Sequence, residues 1–171
     1  IIGCTLDPSV GTWTLNPLAA GVYNPILTAL QTTGLTPLAY YYDWRRRIPD
    51  SGTTLSQFLS TLSLTPGERV HMVGHSMGGL LGRAYLEQQL AYNKLDRFMT
   101  VGSPHQGTAF AYPAWSGGEI WNDNFLMRVG LTSIIKLCGL AHGKNDREAV
   151  RTFAPSTQQL LPRASYLRDV S

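Results

Sequence analysis

The sequence predicts an α/β fold in which a parallel sheet carries helices on both faces. Short apolar runs alternate with segments of helical periodicity along the chain, an order typical of parallel strands that are joined by helices. A Gly-x-Ser-x-Gly pentapeptide at 74–78 stands between one such run and one such helix. The length of 171 residues is that of one domain with a substantial core.

Composition narrows the class of protein. The formal net charge is +3 and the main basic run is 45–47, so nucleic-acid binding is not indicated. No apolar run in the sequence is long enough to span a bilayer. Neither cysteine has a metal-binding spacing, and the sequence implies no metal or organic cofactor. Cys4 and Cys138 could form one bridge or remain two buried thiols, and we favour thiols.

The amino-terminal elements are predicted in order as a strand end, a loop and a helix. Residues 1–6 resemble the exit of a strand, and residues 7–20 are rich in turn formers. Residues 23–32 carry apolar side chains at helical spacing, with Pro25 suited to the first helical turn. Gly34 is expected to end this helix.

The central elements alternate between strand and helix. We predict strands at 38–42, 70–73 and 98–101, which with the first makes about four core strands. Helices are predicted at 51–62, whose apolar side chains share one face, and at 79–87.

The pattern changes between residues 109 and 150, which are apolar and aromatic without strand alternation. We predict short helices here, inserted after the core strand as a lid or acyl-binding wall. For residues 131–140 alone, a plain core helix is at least as well supported.

The pentapeptide predicts a nucleophilic serine at Ser76. A strand that turns at once into a helix strains the residue at the turn and exposes its side chain. Gly74 and Gly78 are expected to allow the close approach of strand and helix. The N–H of Met77 then points to where an acyl oxygen would lie. The alternative is an ordinary glycine-rich turn with a solvated serine.

Four segments resemble a known family. Val-Gly-His-Ser-Met-Gly-Gly at 73–79 resembles the corresponding turn of α/β-hydrolase lipases, and Tyr-Asp-Trp-Arg at 42–45 resembles a signature of the lecithin:cholesterol acyltransferase family. Residues 102–108 and 155–162 are similar to two further segments of these enzymes. The resemblance implies an α/β-hydrolase-like sheet, with residues 1–171 as one partial domain. It also implies a Ser-Asp-His triad, and it makes Ile1 the second oxyanion donor.

The acid and base of that triad are not evident in this sequence. His105 follows the strand next to the serine, where the resembling families have a non-catalytic histidine, and His142 lies in the predicted lid. We therefore expect the acid and base to lie beyond Ser171, so that the chain is the amino-terminal part of the enzyme. Asp43 and Arg45 either shape the site wall or form a structural brace beside Trp44, and we favour the brace.

We therefore predict a serine-dependent lipid acyl-ester hydrolase or acyltransferase, with catalytic groups at Ser76, Met77 and Ile1. A general esterase, a deacylase of lipid anchors and a non-catalytic hydrolase-like domain that binds lipid or protein are the alternatives. The implied partners are a lipid or other ester substrate and a membrane or lipoprotein surface. Extracellular and membrane-associated locations are both compatible with the sequence.

Overall fold

The computed structural model describes Cys4 and residues 17–88, 95–121 and 125–164. The chain divides into two compact units. Residues 8–42 form the smaller unit, and residues 1–7 together with 43–171 form the larger one.

The smaller unit contains helix α1 (Pro17–Thr32). This helix begins earlier than predicted, so Pro25 lies inside it and not in its first turn. Pro17 occupies the start instead, where the missing N–H and the fixed φ of proline are tolerated best. Gly34 ends the helix as predicted, with a φ of 82° that glycine adopts without steric cost.

The segment after α1 is extended but is not a strand. The rings of Tyr40 and Tyr42 stack on the same side of the chain, with centroids 6.1 Å apart. Within the described ranges no strand pairs with residues 38–42, so the predicted core strand is wrong here. The aromatic pattern favours an extended backbone, but a strand also needs hydrogen bonds from a neighbour distant in sequence. Burial, and then the nearby Tyr23 and Tyr40, raise the pKa of Tyr42 well above its usual value.

The larger unit is built on a parallel pair of strands, as predicted. Strand β1 (Val70–His75) pairs with β2 (Leu95–Val101), and Gly74 lies opposite Thr100. Helix α3 (Met77–Gln88) follows β1 and packs against both strands, while α2 (Ile48–Ser60) packs against α3. These elements confirm the predicted alternation, although each is offset from its predicted bounds by a few residues.

The two faces of this sheet differ. Met72 and Phe98 turn toward α3, because a β-carbon at Gly82 of that helix would contact both side chains. On the other face Val73, Met99 and Val101 are 51%, 60% and 46% exposed. The prediction of helices on both faces is therefore not met in the described part of the chain. The prediction of four strands also fails there, since two are present and residues 1–6 lie outside the description except for Cys4.

The carboxyl-terminal half is helical, as predicted. It comprises α4 (Ala111–Gly117), α5 (Phe125–Ala141), α6 (Asp146–Phe153) and the short α7 (Ser156–Gln159). Three of these helices share a buried cluster, which consists of Ala114, Ile135, Cys138, Ala149, Val150, Phe153 and Ala154. Helix α5 is longer than the predicted short helices and buries only one face, because Leu137 and Leu140 are 65% and 79% exposed.

A disulfide joins Cys4 to Cys138 of α5. The expectation of two free thiols is therefore wrong. The fold brings the two Cα atoms to 5.4 Å across a separation of 134 residues, and this distance is typical of a bridged pair. The separation of the two cysteines along the sequence does not indicate how close they lie in the folded chain.

None of the helices among the described residues combines the length and the apolarity that a bilayer span requires.

Candidate active site

Ser76 occupies the turn between β1 and α3. Its φ is 52°, and it is the one non-glycine residue with a positive φ in the described part of the chain. Such a conformation costs on the order of 1–3 kcal/mol and persists only where the surroundings impose it. Here the Ser76 N–H donates to the Val101 carbonyl at 2.9 Å, and the Ser76 carbonyl accepts from the Gly79 N–H at 3.1 Å. The residue is exposed to solvent.

Two glycines allow this sharp turn, and one of them differs from the prediction. A β-carbon at Gly74 would lie 2.6 Å from the Gly79 Cα, so strand and helix meet backbone to backbone. A β-carbon at Gly79 would overlap the side chain of Ser103. Gly78 faces open space within the described structure, so its predicted steric role is wrong. The close approach requires Gly74 and Gly79, because α3 turns its second glycine toward the sheet.

Helix α3 directs its first backbone amides to the carboxyl edge of the sheet. Met77 is its first residue, and the N–H groups of a first helical turn have no partner within the helix. The positive end of the helix dipole lies at the same place. Met77 is thus positioned at the start of a helix of 12 residues directly after the serine. Ile1, the other predicted donor, lies outside the described residues.

The loop after β2 connects two segments that the sequence presents separately. Gly107 has a φ of 84°, and a β-carbon there would lie 2.7 Å from the Pro162 Cα. Close by, the Thr108 N–H donates to the Leu160 carbonyl at 2.8 Å. The family-like segments 102–108 and 155–162 are therefore packed against each other. Ser103 also joins this loop to the turn, since its Oγ donates to the Gly74 carbonyl at 3.3 Å.

The two histidines that follow Ser76 have different surroundings. His142 Nδ1 lies 2.9 Å from the Cys138 carbonyl, and its ring packs on Phe153 with centroids 5.0 Å apart. His105 follows β2, and its Nε2 is 3.4 Å from the Thr100 Oγ1. Its Nδ1 is buried and has no hydrogen-bond partner among the described residues. His142 thus has a packing role that accounts for its position.

A buried ion pair holds the Tyr-Asp-Trp-Arg segment. Arg45 donates from Nε and Nη2 to the two oxygens of Asp43, at 2.8 and 2.7 Å. Both residues are buried, whereas Trp44 between them is 39% exposed. The Ser156 N–H donates to the Arg45 carbonyl at 3.1 Å, which ties this segment to α7. This geometry supports the interpretation of Asp43 and Arg45 as a brace.

Two open grooves lie on the helical half of the chain. One, of about 420 Å³, is lined by residues that include Trp121, Val129 and Lys136. The other, of about 350 Å³, is lined by residues that include Tyr112, Pro113 and Trp121. Ser76 lines neither groove. The role of 109–150 as a lid stays a prediction.

A parallel sheet, a helix that follows its first strand and a strained serine between the two are typical of the α/β class of protein. The family model described as lecithin:cholesterol acyltransferase matches residues 16–162. This match spans most of the chain, and the chain therefore belongs to the lecithin:cholesterol acyltransferase family. No curated protein and no solved structure matches the chain.

Family membership confirms the resemblance found in the sequence. It indicates an enzyme of the lipid acyltransferase or esterase type, with lipid as its substrate class.

Sequence reasoning missed the steric role of Gly79 and the pairing of the cysteines. The consecutive glycines at 78 and 79 were a signal that the helix approaches the sheet closely. Only the rotation of α3 about its axis decides which of the two glycines faces the sheet.

Proposed function

We propose that the protein is a serine-dependent lipid acyl-ester hydrolase or acyltransferase with Ser76 as its nucleophile. The observation that carries this proposal is the positive φ of Ser76, 52°, at an exposed turn between β1 and α3. A positive φ costs less conformational energy for glycine or asparagine than for serine. A serine at this position is therefore best explained by a reactive role of its hydroxyl.

In the proposed reaction the Ser76 Oγ attacks the ester carbonyl carbon while a base takes its proton. The resulting oxyanion is held by the Met77 N–H and by that of Ile1. Its collapse breaks the ester C–O bond, and the alcohol leaves with the proton that the base returns to it. Water or an acceptor alcohol then attacks the acyl-enzyme, giving hydrolysis or acyl transfer respectively. We assign the base to neither His105 nor His142.

The helices between 109 and 150 are assigned the acyl-binding wall. Support comes from aromatic side chains that stay exposed there: Tyr112 and Trp121 are 44% and 56% exposed, and both line the groove of about 350 Å³. Apolar surface beside a polar rim is the usual lining of a site for lipid-like ligands.

Labelling with a fluorophosphonate probe tests the nucleophile in the protein expressed from its native gene. We expect the parent protein and the control Ser60→Ala to be labelled, and Ser76→Ala to lose labelling at least about 100-fold. Ser60 is a suitable control because it is exposed at the end of α2 and its hydroxyl donates to the Gln57 carbonyl of the same helix.

The outcomes separate the alternatives. Equal labelling of the parent protein and Ser76→Ala would contradict the assignment of Ser76. Absence of labelling in every protein would favour a non-catalytic domain that binds lipid or protein. If Ser76 is labelled, a preference for phospholipid over short p-nitrophenyl esters supports the lipid substrate, and the reverse preference supports a general esterase.

A further inference from the structure

The turn that carries Ser76 is held by the chain at the end of strand β2. The Val101 carbonyl accepts from the Ser76 N–H at 2.9 Å. Two residues further along the chain, the Ser103 Oγ donates to the carbonyl of Gly74 at 3.3 Å. The same short segment therefore contacts the turn at its apex and also at the strand residue that leads into it.

The side chain of Ser103 also contacts the helix that leaves the turn. A β-carbon at Gly79 would overlap this side chain, so the Ser103 hydroxyl fills the space beside the glycine. The Gly79 N–H in turn donates to the Ser76 carbonyl at 3.1 Å. Ser103 thus lies against the residues that bracket Ser76 on both sides, and its side chain is partly buried there.

Ser103 is itself fixed by the loop to which it belongs. Its carbonyl accepts from the His105 N–H at 2.9 Å, and at the end of the loop the Thr108 N–H donates to the Leu160 carbonyl at 2.8 Å. The loop is thereby attached to the chain that follows α7. A side chain on such a loop can restrain a neighbouring turn, because it does not simply move with that turn.

Ser76 needs restraints of this kind. A serine with a φ of 52° keeps that conformation only where its surroundings impose it. If one restraint is removed, the turn can relax toward a lower-energy backbone, and the Ser76 Oγ and the Met77 N–H then move relative to the substrate. A displacement of about 1 Å in a reacting group can lower the rate by about 100-fold.

We propose that Ser103 is a positioning residue for the nucleophile, which it holds through Gly74 and Gly79. The inference rests on the proposed function, because it needs Ser76 as the group that attacks the ester. It deepens that function by assigning the conformation of the turn to a hydroxyl that takes no part in bond making or proton transfer.

The expected effect of Ser103→Ala falls on kcat. Alanine keeps the β-carbon and removes only the hydroxyl, so the turn relaxes in part and kcat should fall about 10-fold. KM should change less than about 3-fold, since Ser103 lines neither groove of the helical half. The rate of fluorophosphonate labelling should fall by about the same factor as kcat. Loss of one hydrogen bond should lower the midpoint of thermal unfolding by only about 2–4 °C.

The experiment compares the parent protein with Ser103→Ala, Ser76→Ala and Thr54→Val, each expressed from the native gene and assayed well below its unfolding midpoint. Thr54→Val is the matched control, because it also removes a buried hydroxyl, which donates to the Ser51 carbonyl at 2.9 Å within α2. This control should lower the unfolding midpoint by a similar amount and retain kcat and the labelling rate. Ester turnover, labelling rate and thermal unfolding are measured for all four proteins.

The outcomes are distinct. A fall in kcat and in labelling rate that is confined to Ser103→Ala, with KM retained, supports the positioning role. Parental kcat in Ser103→Ala overturns it, and so does an equal fall in Thr54→Val, which would assign the effect to stability. A rise in KM alone also overturns it, because Ser103 would then act in substrate binding. If the parent is not labelled, or if Ser76→Ala is labelled equally, the proposed function itself has failed and this inference ends with it.

Discussion

At the scale of single residues, the sequence indicated the strained serine but not which glycine of the helix packs against the sheet. The pattern 74–78 predicts a sharp turn, and Ser76 is strained as such a turn requires. The same pattern pointed to Gly78, whereas Gly79 approaches the sheet. A pentapeptide gives the order of residues, but the side of the helix that faces the strands depends on how α3 rotates as it packs.

This difference gives a matched pair of substitutions. Gly79→Ala should destabilise the protein by about 1–3 kcal/mol, because its methyl group would overlap Ser103. Gly78→Ala, in open space within the same helix, should be neutral or stabilising by up to about 1 kcal/mol. Urea unfolding of both variants measures the difference. Adding Ser103→Gly should recover part of the loss in Gly79→Ala, and equal stability of the two single variants would refute this account.

At the scale of elements, the periodicity of apolar residues correctly predicted the helices and strands whose formation depends on nearby residues. The alternation at β1, α3 and β2 was visible because burial against a helix imposes it, and helical spacing was visible in α2. Residues 38–42 and the two cysteines were misjudged because the presence of a pairing strand, or of a bridging cysteine, depends on chain that is far away in sequence; among the described residues the first is lacking and the second is present. The second sheet face shows the same limit, since the apolar side chains of Val73 and Met99 predicted a covering helix, but both are more than half exposed.

The amino-terminal cap of helix α6 is formed by residues that are close together in sequence, and its contribution to stability can be tested. The Asn145 side chain accepts from the Glu148 N–H at 2.9 Å, and the Glu148 carboxylate accepts from the Asn145 N–H at 3.1 Å. Asn145→Ala removes the first bond and should cost about 1 kcal/mol, lowering the midpoint of thermal unfolding by about 2–4 °C. Asn145→Asp keeps an acceptor at the helix start and should retain the parent midpoint. A similar loss in both variants would mean that the cap is not the cause.

At the scale of the whole molecule, the family and the α/β class could be predicted because separate motifs agreed. How those motifs meet could not be predicted, since their contacts join positions far apart in the chain. The Arg45 carbonyl accepts from Ser156, and the Gln159 Oε1 accepts from the N–H of Ile48 at the start of α2. The segments 43–45, 102–108 and 155–162 are thus connected to one another and to the start of α2, a support in which Gly107 packs on Leu161 and Pro162 just after α7.

The Asp43–Arg45 pair tests whether this support depends on charge. Removing one partner leaves the other charge buried, so Arg45→Met and Asp43→Leu should each cost about 3–5 kcal/mol. The double variant removes both charges of the pair, and we expect it to lose clearly less than the sum of the two single losses. Urea unfolding of the four proteins gives the coupling energy, and Arg83→Met, which breaks an exposed pair with Glu87, is a control expected to cost below about 1 kcal/mol. Additive losses at Asp43 and Arg45 would mean that each residue stabilises the support through other contacts, and the brace would have to be abandoned.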